Sequence, residues 1–552
     1  MGPDMNDDRE NVTPPAAGRV TRRGFLGRGA RLAGAALMAP ALPGLWSGLA
    51  GCGDDGGGAL ADPRPGVDFP AYATTPFTLG AASGDPTADG FILWTRLALD
   101  PLATDTPGGL AADDVPIYWE VAEDDGFTRL VARGVATAEA RFAHSVHVDV
   151  AGLDPDRWYA YRFAVGEHAS AAGRARTLPR AGVAADRFVM AVTSCQKWSD
   201  GYYASHRHMA AEADLDLVVF LGDYIYEYAD ADDDVRHNGT PSPRSLDEYR
   251  LRYAQYKADA DLQAAHQRCP WVAIWDDHEV ENGYAGGTSA ADDPTLFARR
   301  VAAYQAYWEH LPLRGGPPVD GALRIYRDLV VGDLAQLFLL DTRQYRTPPP
   351  CGQLGSGCDL DDADILGPEQ EAWLVAGLAS ATARWKVLGN QVVFAPLPLV
   401  AFDGAEALFN YDQWDGYPRS RAAVLDAIRD NDVDNFLIVT GDVHSLGMGR
   451  VHDVADDVTT PVLATEIVAP SVTSDASNVA AFEDRITAIP WVDAFSVTVH
   501  GYARLALSPT EARVDFLVLA DHTDPDSAQL VHSSWAIADG VGGGVRLDSP
   551  NR

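Results

Sequence analysis

Five short runs of this chain place metal-ligating side chains where apolar segments end. Ser194-Cys195-Gln196 follows 188–193, and Gly222-Asp223-Tyr224-Ile225-Tyr226-Glu227 follows 216–221. Asp276-Asp277-His278-Glu279 follows 271–275, with Glu281-Asn282 just beyond. Gly389-Asn390-Gln391 follows 385–388, and Gly441-Asp442-Val443-His444-Ser445 follows 436–440. Gathered in one place, these runs would supply a thiol, a phenol, two imidazoles, an amide and several carboxylates. Unpaired anionic groups held together out of water cost on the order of several kcal/mol each, and metal cations are the natural compensation. A thiolate at Cys195 and a phenolate at Tyr226 suit a highly charged, hard-to-borderline ion. Asp223 has two carboxylate oxygens and can bridge that ion to a neighbour. Asp277, Asn390 and Asp442 offer the oxygens that Ca²⁺ takes, and the choice between Asp442, His444 or both as ligands stays open. A strand-end Asp can also cap a helix, which explains any one of these positions but not all five.

The elements that would position these groups are legible as alternation. Apolar runs at 188–193, 216–221, 271–275, 334–340, 385–388, 436–440 and 462–468 read as buried strands. Helix-compatible stretches at 201–213, 246–265, 296–310 and 368–378 lie between them, which argues α/β layering. In such folds the carboxyl ends of parallel strands open on one crevice, so separated segments can meet there. Before them, 77–177 is a series of short alternating runs at sandwich spacing, including 91–96, 117–121 and 145–150. Leu153-Asp154-Pro155-Asp156-Arg157-Trp158-Tyr159 resembles the turn and strand of an immunoglobulin or fibronectin type III domain, in which a tyrosine packs at a corner. His144 and His147 in this region read as structural. Trp308, Trp373 and Tyr304 read as core, and Cys269 as an inert buried thiol. The runs 496–507 and 512–519 read as a terminal hairpin.

The motifs Gly222–Tyr226, Asp277-His278-Glu279, Gly389-Asn390 and Gly441–His444 resemble those of calcineurin-like metallophosphoesterases. Their order, with Ser194-Cys195-Gln196, Leu340-Asp341-Thr342-Arg343-Gln344 and the preceding β-sandwich, is similar to PhoD-type alkaline phosphatases from about Phe77 to Leu519. The resemblance implies a four-layer α/β/β/α core preceded by a small immunoglobulin- or fibronectin-like β-sandwich. It also implies hydrolysis of phosphomonoesters and phosphodiesters by a metal-activated oxygen nucleophile, with one Fe³⁺ and Ca²⁺ ions. Most calcineurin-like enzymes begin with D-x-H; here that position reads Ser194-Cys195-Gln196, which matches the PhoD branch rather than a di-zinc site. His278 is then a candidate to stabilise charge or protonate the leaving group, or else to orient a neighbour. Arg343 could hold phosphate in a bidentate contact or pair with an acid, and Arg419 and Arg421 are weaker candidates. The alternatives are a phospholipase D-type phosphodiesterase on the same fold, or a non-catalytic metal-binding or adhesion lipoprotein.

The 552 residues carry 79 Asp and Glu against 43 Lys and Arg, a formal net charge of −36. So acidic a chain repels nucleic acid and anionic lipid unless a local basic pocket intervenes, and the resemblance implies a small or lipid-like phosphoester as partner. Five cysteines rule out a disulfide-dense scaffold. A Cys351–Cys358 disulfide within a surface insertion would be tolerated outside the cytoplasm. Arg22-Arg23 before an uncharged Ala/Gly/Leu-rich run, then Leu49-Ala50-Gly51-Cys52, resembles a twin-arginine export signal ending in a lipidated cysteine. The expected localisation is periplasmic or cell-surface, held to the envelope by lipid alone. The organisation reads as export signal 1–52, flexible tether 53–72, β-sandwich 73–180, catalytic domain 181–525 and C-terminal tail 526–552.

Overall fold

The apolar runs form strands because two different layers cover their two faces. In the strand Phe436–Thr440, Leu437 and Val439 pack into one apolar cluster while Phe436 and Ile438 pack into another. Ala335–Leu339 and Trp385–Gly389 split the same way, with Leu337 and Val387 on one side and Phe338 and Leu388 on the other. A strand buried on both faces must read as a continuous apolar run. Each fully buried Leu, Val or Phe adds about 1.5–3 kcal/mol.

A computed structural model describes residues 60–547 apart from 233, 238, 350, 399–406 and 477–482. The expected export signal, with Arg22, Arg23 and Cys52, lies outside the described residues. Two large sheets face each other across the cluster that holds Val189, Val218, Leu337 and Val439. The seven-stranded sheet carries the parallel run Ala335–Leu339, Trp385–Gly389, Phe436–Thr440 and Val462–Val468. Helices Gly367–Ser380 and Pro418–Asp430 contribute Leu374, Leu378, Val424 and Ile428 to its outer face. The ten-stranded sheet has Phe188–Thr193, Leu217–Phe220 and Trp271–Ala273 in parallel at its centre. Helices Leu246–Lys257, Ala260–Arg268 and Leu296–His310 add Tyr253, Leu262 and Tyr304 to the cluster on that side. This is the four-layer α/β/β/α core with a β-rich N-terminal region. The helix expected over 246–265 is two helices, because Asp259 accepts from the amides of Asp261 and Leu262 and starts a second one.

The structure adds detail at three expected boundaries. The sandwich shares a sheet with the core: Ala81–Gly84, Phe91–Arg96 and Ser145–Val150 continue the ten-stranded sheet beyond Trp271–Ala273. Only its other half, Leu130–Ala138, Val115–Ala122 and Trp158–Val165, forms a sheet of its own. The C-terminal tail is structured, since Gln529–Ala538 and Val545–Leu547 extend the large sheet from its opposite edge and the 501–519 hairpin is therefore not terminal. Within the expected tether, His168 Nε2 bonds the Tyr72 carbonyl at 2.9 Å and Arg133 Nε donates to that of Ala61 at 3.1 Å. Other readings hold. The Tyr159 hydroxyl donates to the Asp154 carbonyl at 3.2 Å, making the corner, and His147 stacks on Trp308 at 4.3 Å as a structural residue. Among the described residues, no helix is long and apolar enough to cross a membrane.

Candidate active site

The carboxyl ends of the two parallel runs meet. Ser194 bridges Ser471, and the Val472 amide donates to the Ser194 carbonyl at 3.0 Å. Glu279 binds two of the strand-end loops together. Its carboxylate accepts from the amides of Asp223 at 3.1 Å, Tyr224 at 2.6 Å and Asp276 at 2.8 Å. Gln391 ties the 271–275 end to one further strand end, donating to the carbonyls of Trp275 at 2.8 Å and Leu340 at 2.9 Å. Cys195, Asp223, Asp442 and His444 all have left-handed backbones, with φ of 56°, 58°, 64° and 50°. Such conformations cost about 1–3 kcal/mol each and persist only where the surroundings over-determine them. At Gly222 the close approach requires glycine, because a Cβ there would lie 2.5 Å from that of Asp276.

One carboxylate oxygen is the hub. Asp223 Oδ2 lies 3.4 Å from Cys195 Sγ and 2.9 Å from the Tyr226 hydroxyl, which in turn lies 3.0 Å from His444 Nε2. His444 Nδ1 donates to the Asp475 carbonyl at 2.8 Å. A carbonyl can only accept, so the ring proton sits on Nδ1 and Nε2 presents its lone pair to the cluster. Burial, reinforced by Asp223, pushes the Cys195 thiol and the Tyr226 phenol well above their ordinary pKa values. Burial also raises the pKa of Asp223 and Asp442. Four anionic donors forced toward their protonated forms are what a polyvalent cation would relieve. Asp277 gives a second indication: its Oδ2 accepts from the Gly283 amide at 2.6 Å, while Oδ1 is buried without a hydrogen-bond partner. The donor set thus fits a metal centre.

These groups open on a polar cavity of about 670 Å³ whose wall includes Asp223, Tyr226, Asp277, His278, Asp442 and His444. His278 stacks on Tyr226 at 4.1 Å and holds Glu227 Oε2 at 2.8 Å through Nδ1. Burial opposes charge on this imidazole, but Glu227, Asp277 and Asp223 outweigh it and raise its pKa well above the usual value.

Of the two roles expected for Arg343, the structure shows the pairing with acids. Arg343 does not reach the cavity. Its side chain is fully buried, paired with Asp276 on one edge and with Asp412 on the other at 2.9 and 3.1 Å. Asp277 and Asp442 lie 3.6 and 3.7 Å from it, so it serves as a buried counter-ion beneath the carboxylates rather than as a phosphate contact. Asn390 is also buried, and its Oδ1 accepts from the Trp414 indole at 2.9 Å, which orients the amide and leaves that oxygen a second lone pair, while Nδ2 has no hydrogen-bond partner. Arg419 and Arg421 pair with Asp364 and Asp415. Conversely, Asn282, Asn410 and Asp412 line the cavity without having been singled out as site residues. Asn282 lies four residues beyond His278 and was within reach of the motif; Asp412 carries no local signal. A disulfide joins Cys351 to Cys358, and Cys195 and Cys269 are buried free thiols.

Metal-ligating side chains at the strand ends of a two-sheet α/β core, opening on a cavity that holds an imidazole, define a hydrolase of the phosphoesterase class. The chain belongs to the PhoD-like phosphatase family, whose model matches residues 190–516; the model of that family's N-terminal domain matches residues 65–179. Alkaline phosphatase D of Bacillus subtilis (strain 168) is 38% identical over 485 residues, covering 84% of this chain and 81% of the relative. A solved structure described as that of PhoD superposes with a TM-score of 0.84 at 38% identity, covering 87% of this chain and 94% of its own.

Proposed function

We propose that this phosphatase is an exported, metal-dependent enzyme that hydrolyses small phosphomonoesters and phosphodiesters. The observation that carries the reading is the convergence of thiol, phenol and carboxylate on Asp223 Oδ2, with the His444 lone pair beside it. Cys195, Asp223, Tyr226 and His444 would hold Fe³⁺, and the oxygens of Asp223, Asp277, Asn390 and Asp442, with Asn282 nearby, suit Ca²⁺. When bound, such ions neutralise phosphate charge and make an oxygen nucleophile available at moderate pH.

The chain's own contribution is positional. Glu227 fixes the His278 ring through Nδ1, leaving Nε2 as the ring nitrogen free to serve the cavity. Charged by its carboxylate neighbours, His278 can meet the negative charge of the transferring phosphoryl group or give a proton to the departing alcohol. Asp412, Asn410 and Gln353 form an outer wall on the side of the Cys351–Cys358 loop. A cavity of this size takes a small ester and leaves the alcohol loosely specified. A net charge of −36 opposes long polyanions. Arg22-Arg23 and Cys52 support export and a lipid anchor, which N-terminal mass spectrometry of the natively produced protein tests; an unmodified Met1 rejects it.

The test of function joins elemental analysis to a substrate panel: p-nitrophenyl phosphate, bis-p-nitrophenyl phosphate, glycerophosphodiesters, phosphatidylcholine and single-stranded DNA. Iron in the active enzyme, with activity lost to a Ca²⁺ chelator and restored by Ca²⁺, is expected. Full activity with zinc alone overturns the metal assignment. DNA outperforming every small ester overturns the substrate class. A hundredfold preference for phosphatidylcholine, about 2.7 kcal/mol, selects the phospholipase reading instead.

A further inference from the structure

At the rim of the same cavity, three segments far apart in the chain bring two imidazoles and a carboxylate together. Asp475 lies in the loop after Val462–Val468, His500 immediately precedes Gly501–Leu507, and His522 occupies the turn between Glu511–Leu519 and Gln529–Ala538. Asp475 Oδ1 is 3.4 Å from His500 Nε2 and 3.7 Å from His522 Nε2, and the ligand atoms of the three residues all lie within 4.8 Å of one another. The two rings stack with centroids 3.7 Å apart, so both nitrogens are presented side by side.

A surface ion pair does not account for this arrangement. The His500 side chain is 9% exposed, and its Nε2 is buried, aimed at the cluster and without a hydrogen-bond partner. Leaving such a nitrogen unsatisfied costs about 1–3 kcal/mol. Backbone geometry also keeps room for the other ring: a Cβ at Gly201 would lie 2.7 Å from His522 Cδ2, and the Tyr202 amide fixes the His522 carbonyl at 2.8 Å. Asp475 and His522 stand on the cavity wall, so an ion held here would keep open positions toward bound ligand.

We infer that Asp475, His500 and His522 form a separate site for a divalent transition-metal ion of the Zn²⁺ type. Two imidazoles and one carboxylate are borderline donors, matched to Zn²⁺, Co²⁺ or Ni²⁺ and poorly matched to Ca²⁺. Three protein ligands leave at least one position open, which a phosphate oxygen in the cavity can fill. Asp475 couples this site to the main centre, since its carbonyl fixes His444 while its carboxylate belongs to the histidine pair.

The test uses the intact holoenzyme in excess Ca²⁺, with iron content checked before and after. Zn²⁺ titrated by calorimetry should add one equivalent without displacing iron. His522→Gln and Asp475→Asn should each weaken that binding more than about tenfold. Where a variant fails to fold, X-ray absorption at the zinc edge of the unsubstituted holoenzyme decides instead. A first shell of nitrogen and oxygen at about 2.0–2.1 Å with imidazole scattering is expected, and sulfur at about 2.3 Å marks the Cys195 centre. No added equivalent, binding unchanged in both variants, or a sulfur shell each overturns the assignment.

Discussion

Replacing Arg343 with Gln should destabilise the protein before any ligand enters. The guanidinium is fully buried, grips Asp276 and Asp412 with both edges of its fork, and has Asp277 and Asp442 within 3.7 Å. Burial alone would raise the Asp412 pKa; Arg343 and Arg346 hold it far below the carboxylate range instead. Removing one partner of a buried charge cluster costs about 3–5 kcal/mol, because the remaining charges stay desolvated. Unfolding entropy of about 2.1 cal/mol/K per residue over roughly 490 residues is about 1 kcal/mol/K, so the midpoint should fall by about 3–5 °C. The assay is thermal unfolding without substrate or phosphate, paired with kinetics on p-nitrophenyl phosphate. Arg343→Lys should recover only part of the loss, since an ammonium cannot reproduce two bidentate contacts. An unchanged midpoint with KM raised and kcat kept would refute the counter-ion role and restore Arg343 as a phosphate contact.

Four other outcomes are expected. Cys195→Ser and Tyr226→Phe should each shift the visible absorption of the iron-loaded enzyme, and Asp223→Ala should abolish both colour and turnover. Glu466 is buried, which raises its pKa to about 7 against 4.5, although it accepts from the amides of Phe394 and Ala395. A raised carboxyl pKa means that its stabilising share is complete below pH 4.5 and declines as pH rises through 7. Denaturation midpoints measured from pH 4.5 to 8 should therefore fall less steeply in Glu466→Gln. Cys351→Ser should free a loop whose closure is worth about 2–2.5 kcal/mol, raising KM and speeding amide exchange at 409–412, because Leu354–Gly355 pairs with Phe409–Asn410. Deleting residues 1–180 should give an aggregating product, since it uncovers the edge of Trp271–Ala273.

What the sequence made legible follows the range of the forces involved. Cys195, Asp223, Tyr226 and His444 could be read because each sits at the end of an apolar run, and burial on both faces marks such runs locally as continuous apolar stretches. Asn390 sits at a strand end by the same logic, yet the indole that orients its amide belongs to Trp414, which lies on a different segment. Arg343 was legible as an arginine that either holds phosphate or pairs with an acid, but not which acid it meets, because its partner Asp412 lies 69 positions away. The sharing of strands between sandwich and core was illegible for a similar reason. Alternation identifies a strand without naming its neighbour, and Gly84 finds Trp271 only once the core has formed.

The strand order of the large sheet also sets a timetable for synthesis. Phe188–Thr193, buried along its whole length, sits between Leu217–Phe220, which leaves the ribosome almost at once, and Gly501–Leu507, which emerges about 300 residues later. At roughly 5–20 residues per second, that edge stays open for about 15–60 s in every molecule made. During this interval the nascent chain exposes an apolar strand with unpaired amides, the kind of surface that recruits holding chaperones or seeds aggregates. Lowering the translation rate after residue 193 should therefore reduce the soluble yield, even though every contact of the finished protein is unchanged.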